Sequence, residues 1–341
     1  MNIEILGISV LWIFLFGYII VGSIDFGAGF FNAYGILTNK QRILSTIIQR
    51  YLSPVWEVTN VFFVFFFVGI IGFFPKTAVY FGQPMLIPGS IILILLCIRG
   101  SYYAFESYGT KGHKGYATLY GASGVLIPAA LSITLTISEG GFVSIGKGGP
   151  ELDFKALFTS PLTWSVVVLS ISACLFISAT FLTWYANKAN DLEARELLKK
   201  YAFFWAIPLV VAVIGIMVEL RSHNPLHYNR MMDMWYLLVL SALMFIGTIY
   251  LLWSNKKFGV AIGLVIGQFL FAFFAYGIGH YPYLMYPHLT IYDSFTNQSM
   301  AIALVVTFVL GLLLLLPALW LIMKLFIFNK DYAKGKNDTH V

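Results

Sequence analysis

Three ionisable residues stand in stretches that are otherwise apolar. Asp25 lies in Val21-Gly22-Ser23-Ile24-Asp25-Phe26-Gly27-Ala28-Gly29, Glu57 in Pro54-Val55-Trp56-Glu57-Val58-Thr59-Asn60, and Arg99 within the apolar run that begins near Met85. A charge among hydrocarbon is costly, so each is a functional candidate by default. Two carboxylates and a guanidinium allow two chemistries. In the first, Arg99 pairs with Asp25 or Glu57 and locks together the segments that carry them. In the second, partly desolvated carboxylates relay protons, with Thr59 and Asn60 just beyond Glu57 holding water along the route. The two are compatible, Arg99 then tuning the carboxylates. Gly27 and Gly29 flank Asp25 and would let another helix backbone approach closely. Motifs for nucleotide binding, zinc peptidases or a nucleophilic serine are absent, so the chain offers no catalytic residue of its own.

The elements that must position these groups follow from composition. Of 341 residues, 59% are hydrophobic and 11% charged, and the mean hydropathy is +0.83. A soluble domain carries about a quarter charged residues, and no single core buries this much apolar surface. The class is a polytopic all-α membrane protein; a soluble enzyme, a nucleic-acid partner and a secreted disulfide scaffold are excluded. A membrane-crossing helix takes about 20 apolar residues, and nine windows qualify: residues 5–31, 56–74, 85–105, 117–137, 162–185, 201–218, 234–253, 258–281 and 300–328. The first is not a secretory signal, because Met1-Asn2-Ile3-Glu4 has no basic region and the run is too long. Residues 1–329 form a single membrane domain, and 330–341 a polar tail.

Loop charges set the orientation. Fourteen Lys and Arg fall in one set of loops (among them Lys40, Arg42, Lys188, Lys199, Lys256 and the tail) against five in the other, Lys76, Lys147, Lys155, Arg221 and Arg230. Cytoplasmic loops carry such an excess, which puts the N-terminus outside and the C-terminus in the cytoplasm. On that orientation Asp25, twenty residues past Ile5, lies about 30 Å down, near the inner edge of the hydrocarbon. Glu57 opens its span from the same side, and Arg99 lies about 21 Å down a span entering from outside. The three share one leaflet.

Other positions read as structural. Gly259, Gly263 and Gly267 recur at four-residue spacing, a face for close helix packing, and Gln268 beside them reads as an interhelical hydrogen-bond partner. Pro208 and Pro317 predict kinks. Cys97 and Cys174 read as small buried hydrophobes. None of the six histidines is mid-span, which argues against a haem axial ligand in this chain. His223 and His227 have helical spacing, but the Pro225 between them argues against a helix, and no metal site is expected.

The motif around Asp25, the Trp56-Glu57-Val58-Thr59-Asn60 run and Arg99-Gly100 together resemble subunit II of cytochrome bd-type quinol oxidases, in the manner of the Gram-positive branch. Better-known relatives carry Asp at the position of Glu57. The resemblance implies two four-helix bundles plus a peripheral helix, in a bacterial plasma-membrane protein. It also implies a pseudosymmetric heterodimer with a haem-bearing subunit I, with room for a small single-span accessory subunit. Two haems b and one haem d would sit in subunit I and none in this chain, with menaquinol as electron donor and dioxygen reduced to water without pumping. Asp25 and Glu57 would carry protons from the cytoplasm, supported by Trp56, Thr59, Asn60 and Arg99. An alternative from the residues alone is a secondary transporter with a charged intramembrane site, although the charges cluster near one face and no repeat is obvious.

Overall fold

The computed structural model describes residues 3–108, 114–146 and 148–327, with the side chains of 45–46, 49–59, 103–108 and 326–327 also left out. The polar tail expected at 330–341 therefore lies outside the described residues. Helices dominate. In chain order they are α1 (Ile3–Leu37), α2 (Gln41–Phe73), α3 (Lys76–Gly82), α4 (Leu86–Tyr108), α5 (Lys114–Ser138), α6 (Phe154–Thr159), α7 (Pro161–Ala189) and α8 (Leu192–His223). Then come α9 (Pro225–Asp233), α10 (Trp235–Trp253), α11 (Phe258–His280) and α12 (Gln298–Ile322), which ends in a π turn, Met323–Ile327. Among the described residues two small antiparallel hairpins complete the fold: β1 (Val143–Gly146) with β2 (Gly149–Leu152), and β3 (Tyr283–Met285) with β4 (Leu289–Thr290).

Seven of these helices are long and apolar enough to cross a membrane: α1, α5, α7, α8, α10, α11 and α12 with its extension. The second and third sequence windows behave differently. The apolar part of α2, from Asn60, ends at Phe73 and meets α3 at a 114° bend, and the apolar part of α4 is the shorter Leu86–Tyr102. The bend follows from the chain's chemistry. Pro75 caps α3 with no N–H to continue a ladder, while the carbonyl of Phe73 accepts from the N–H of Thr296 and the N–H of Lys76 donates to Ser294 Oγ.

Helix α1 is the hub. Its 35 residues span about 52 Å, more than the hydrocarbon thickness, and every residue from Gly22 to Gly29 is buried. It packs against α2, α5 and α7. One core cluster joins α1 to α7 and α8 through Phe31, Phe176, Leu182 and Leu198. A second is a knot of rings, in which Phe14 stacks on Phe65 and meets Phe308 edge-on. Tight turns connect the spans. Asn190 adopts the left-handed conformation after α7 (φ 61°) and Asp191 then caps α8 at the N–H of Ala194. At the same end Lys199 Nζ donates to Asn255 Oδ1, so the Lys-rich turns gather there. Helix α8 runs from that end to the opposite one, where His223 bonds the Gly140 carbonyl and both hairpins sit. The Gly-rich connection between α5 and α7 holds β1, β2 and α6.

Candidate functional site

The first group is centred on Asp25, which α1 carries into the core. Arg99 Nη2 of α4 donates to Asp25 Oδ2 at 2.8 Å, and both side chains are essentially sealed (1% and 2% exposed). The same nitrogen lies 3.2 Å from the Asp25 carbonyl and 2.9 Å from Tyr120 Oη, while Nη1 donates to the Tyr120 carbonyl at 3.2 Å. The guanidinium also lies over the Tyr120 ring, 4.1 Å from its centroid, and 5.0 Å from that of Phe26. Arg99 therefore binds α1, α4 and α5 into one unit. Asp25 Oδ1, by contrast, is buried with no hydrogen-bond partner among the described residues, and so is Tyr18 Oη, two helical turns away on α1.

Small residues make the arrangement possible. A Cβ at Gly29 would stand 2.6 Å from the Tyr120 ring and 3.1 Å from Arg99 Nη1; one at Gly27 would stand 2.4 Å from Ser178 Cβ. On α5, a Cβ at Gly124 would lie 2.3 Å from the Phe26 carbonyl oxygen. Ser178 Oγ of α7 uses that closeness to donate to the Ile24 carbonyl at 3.0 Å. Gly27 thus faces the α7 backbone, with a Cβ there 3.2 Å from the Cys174 carbonyl oxygen, whereas Gly29 faces the side chains of Tyr120 and Arg99.

Of the other expected members, Trp56, Glu57 and Thr59 have helical backbone in α2, but their side chains lie outside the described residues. Asn60 is half-buried on the same helix. The glycine stripe of α11 is not a continuous seam. A Cβ at Gly267 would meet Met244 Sδ at 2.5 Å, one at Gly259 would have ordinary contact with Trp184, and Gly263 faces open space. Gln268 contributes its backbone carbonyl, which accepts from Ser241 Oγ at 2.8 Å, while its own Oε1 has no partner. Cys174 is buried as expected, but Cys97 is exposed on α4.

A second polar group lies at the hairpin end and was not anticipated. Pro225 does not break the chain between His223 and His227. It occupies the first turn of α9, where its missing N–H costs nothing, and Asn224 caps the helix at the N–H of His227. His227 is thereby pressed against Glu139, its Nδ1 lying 3.0 Å from Oε1 and 2.9 Å from Oε2. Tyr276 Oη donates to Glu139 Oε1 at 2.5 Å and Asn224 Nδ2 to Oε2 at 3.1 Å. Burial pushes the Glu139 carboxyl upward, but the contact with His227 and the nearby His280 imidazole overcome it and hold it well below the usual carboxylate range. The Asn-Pro pair at 224–225 is the signal that could have been read as a helix start. Nothing local marks Glu139.

Comparison with known proteins agrees on one family. The family model described as cytochrome bd terminal oxidase subunit II matches residues 3–326. A putative cytochrome bd menaquinol oxidase subunit II of Bacillus subtilis (strain 168) is 35% identical over 339 residues, covering 97% of each chain. In the structure of bd oxidase from Geobacillus thermodenitrificans, a chain 58% identical superposes with a TM-score of 0.86, over 96% of this chain and 100% of that one.

Proposed function

The chain belongs to the cytochrome bd terminal oxidase subunit II family, and from that premise we propose that it is the non-haem subunit of a menaquinol:oxygen oxidoreductase, holding the haem-bearing subunit I in place and contributing a cytoplasmic proton-uptake path for the reduction of dioxygen to water. It is a multi-pass bacterial membrane protein and part of an oxidase complex. Family membership displaces the transporter alternative. The nine-span count, with the N-terminus outside and the C-terminus in the cytoplasm, belongs to the proposal and is supported by the excess of Lys and Arg in one set of loops. The haems b and d supply oxygen activation in subunit I. This chain's residues bind, seal and relay.

The observation that carries the proton reading is the asymmetric environment of Asp25. One oxygen is held by Arg99 and the other is buried without a partner among the described residues. A carboxylate used only as an ion-pair strut would gain from bonding both oxygens, because an unmet buried acceptor is costly. An open oxygen is what a carrier needs to receive a proton, from water or from Glu57 on the adjoining α2. Arg99 keeps Asp25 in the core without occupying that face. A second reading is favoured by Arg99's four hydrogen bonds to α1 and α5: a closed lock with no proton traffic. Asp25→Asn separates the two, since the amide keeps size and one acceptor but carries no proton. The carrier reading predicts slowed oxygen reduction with haem spectra and assembly retained. Full turnover, or loss of the haems, would favour the lock.

A further inference from the structure

We propose that Glu139, His227 and His280 form a site for one divalent transition-metal ion of the zinc class, clamping the turn after α5, the start of α9 and the end of α11. The proposal stands apart from the proton reading, since it shares no residue with it.

The donors are a carboxylate and two imidazoles, all buried, with ligand atoms within 4.8 Å of one another. The tautomer of His227 makes the case. Its Nε2 lies 3.1 Å from the Tyr276 carbonyl oxygen, which can only accept, so Nε2 carries the proton. In the neutral ring, Nδ1 then presents a lone pair to the two carboxylate oxygens of Glu139 at 2.9 and 3.0 Å. Lone pair faces lone pair, and a positive centre must join them. A proton on Nδ1 would serve His227 but not His280. That residue is 8% exposed, and neither of its ring nitrogens has a hydrogen-bond partner among the described residues. Its Nδ1 points into the cluster, 3.6 Å from Glu139 Oε1. A metal ion meets both demands at once.

The dimensions suit zinc. Donors about 2.0–2.1 Å from a tetrahedral ion are about 3.3 Å apart, so the His227–Glu139 contact would open, and the His280–Glu139 contact close, by a few tenths of an ångström each. Orienting partners are already present, as metal sites require: the Tyr276 carbonyl fixes the His227 ring, while Tyr276 Oη and Asn224 Nδ2 hold the carboxylate. Backbone fit brings the three together. A Cβ at Gly279 would lie 2.9 Å from His227 Cδ2, and one at Gly140, at φ +84°, would lie 2.6 Å from the Tyr286 carbonyl oxygen.

The test uses the intact oxidase complex, purified without chelator, with zinc measured by plasma mass spectrometry per haem and its ligands by X-ray absorption at the zinc edge. The expected result is about one Zn2+ per complex with imidazole scattering in the spectrum, falling at least about tenfold in His280→Ala and in Glu139→Gln. Chelator-stripped wild-type complex should take up added Zn2+ to the same level. Zinc absent from the wild-type complex and not taken up after stripping would overturn the proposal, as would zinc content unchanged in both variants. The wild-type measurements hold even if a variant fails to assemble.

Discussion

At the scale of single residues, the Asp25–Arg99 pair makes the sharpest prediction. Arg99 has four hydrogen-bond contacts to α1 and α5; leucine removes all four and leaves the Asp25 carboxylate uncompensated, at a cost of about 3–5 kcal/mol, whereas asparagine at 25 keeps an acceptor for the guanidinium. Arg99→Leu should therefore sharply reduce the yield of assembled, haem-loaded complex; a variant assembled in normal amount would show that the pair is dispensable. This pair was legible in the sequence because depth is additive along a helix. Counting residues from the ends of two spans placed both charges in one leaflet. Glu139 was not legible, because no periodicity or depth argument links residue 139 to residues 227, 276 and 280. Only folding joins three segments so far apart. His227 was half legible, and Pro225 misled because proline was weighed as a breaker when its position after a capping Asn makes it a starter.

At the scale of elements, the same residue type has opposite meanings on different helices. Gly124 on α5 faces the backbone of α1, where a Cβ would be 2.3 Å from a carbonyl oxygen that cannot swing away. Gly124→Ala should destabilise the complex by about 1–3 kcal/mol or more, seen as a lower thermal midpoint and loss of the α1–α5 contact. Gly263 on α11 faces open space, so Gly263→Ala should be neutral or slightly stabilising, by up to about 1 kcal/mol, because alanine favours the helix. Equal loss from both substitutions would contradict this reading. Spacing alone could not distinguish the two. Four-residue recurrence predicts a small-residue face, but whether another backbone lies on it depends on the neighbour. The bend after Phe73 shows the same limit, since hydropathy ran on through residue 74 while Pro75 turned the chain.

At the scale of the whole molecule, much apolar surface is left uncovered. Only 11% of the most apolar window of α10, and of α12, is buried within the chain, and Phe204, Ile207, Val211, Ile214 and Val218 form an exposed face on α8. Such faces belong against lipid or a second apolar chain. Affinity purification in mild detergent should bring down a haem-bearing chain in equal amount; a colourless lone chain would contradict the assignment. The class and the broad architecture were legible because composition excludes every alternative to a helical bundle in a membrane, whereas the hairpin-end cap was not, being built from short elements with no periodic pattern. The central claim, that protons reach the oxidase through this subunit's carboxylates, is tested most directly by the steady-state oxygen consumption of purified complex bearing Asp25→Asn, with the visible spectrum recorded on the same sample. The account predicts at least about a tenfold slower rate, a loss of about 1.4 kcal/mol or more in transition-state stabilisation, with the haem bands unchanged. A wild-type rate from a fully haem-loaded complex would contradict it.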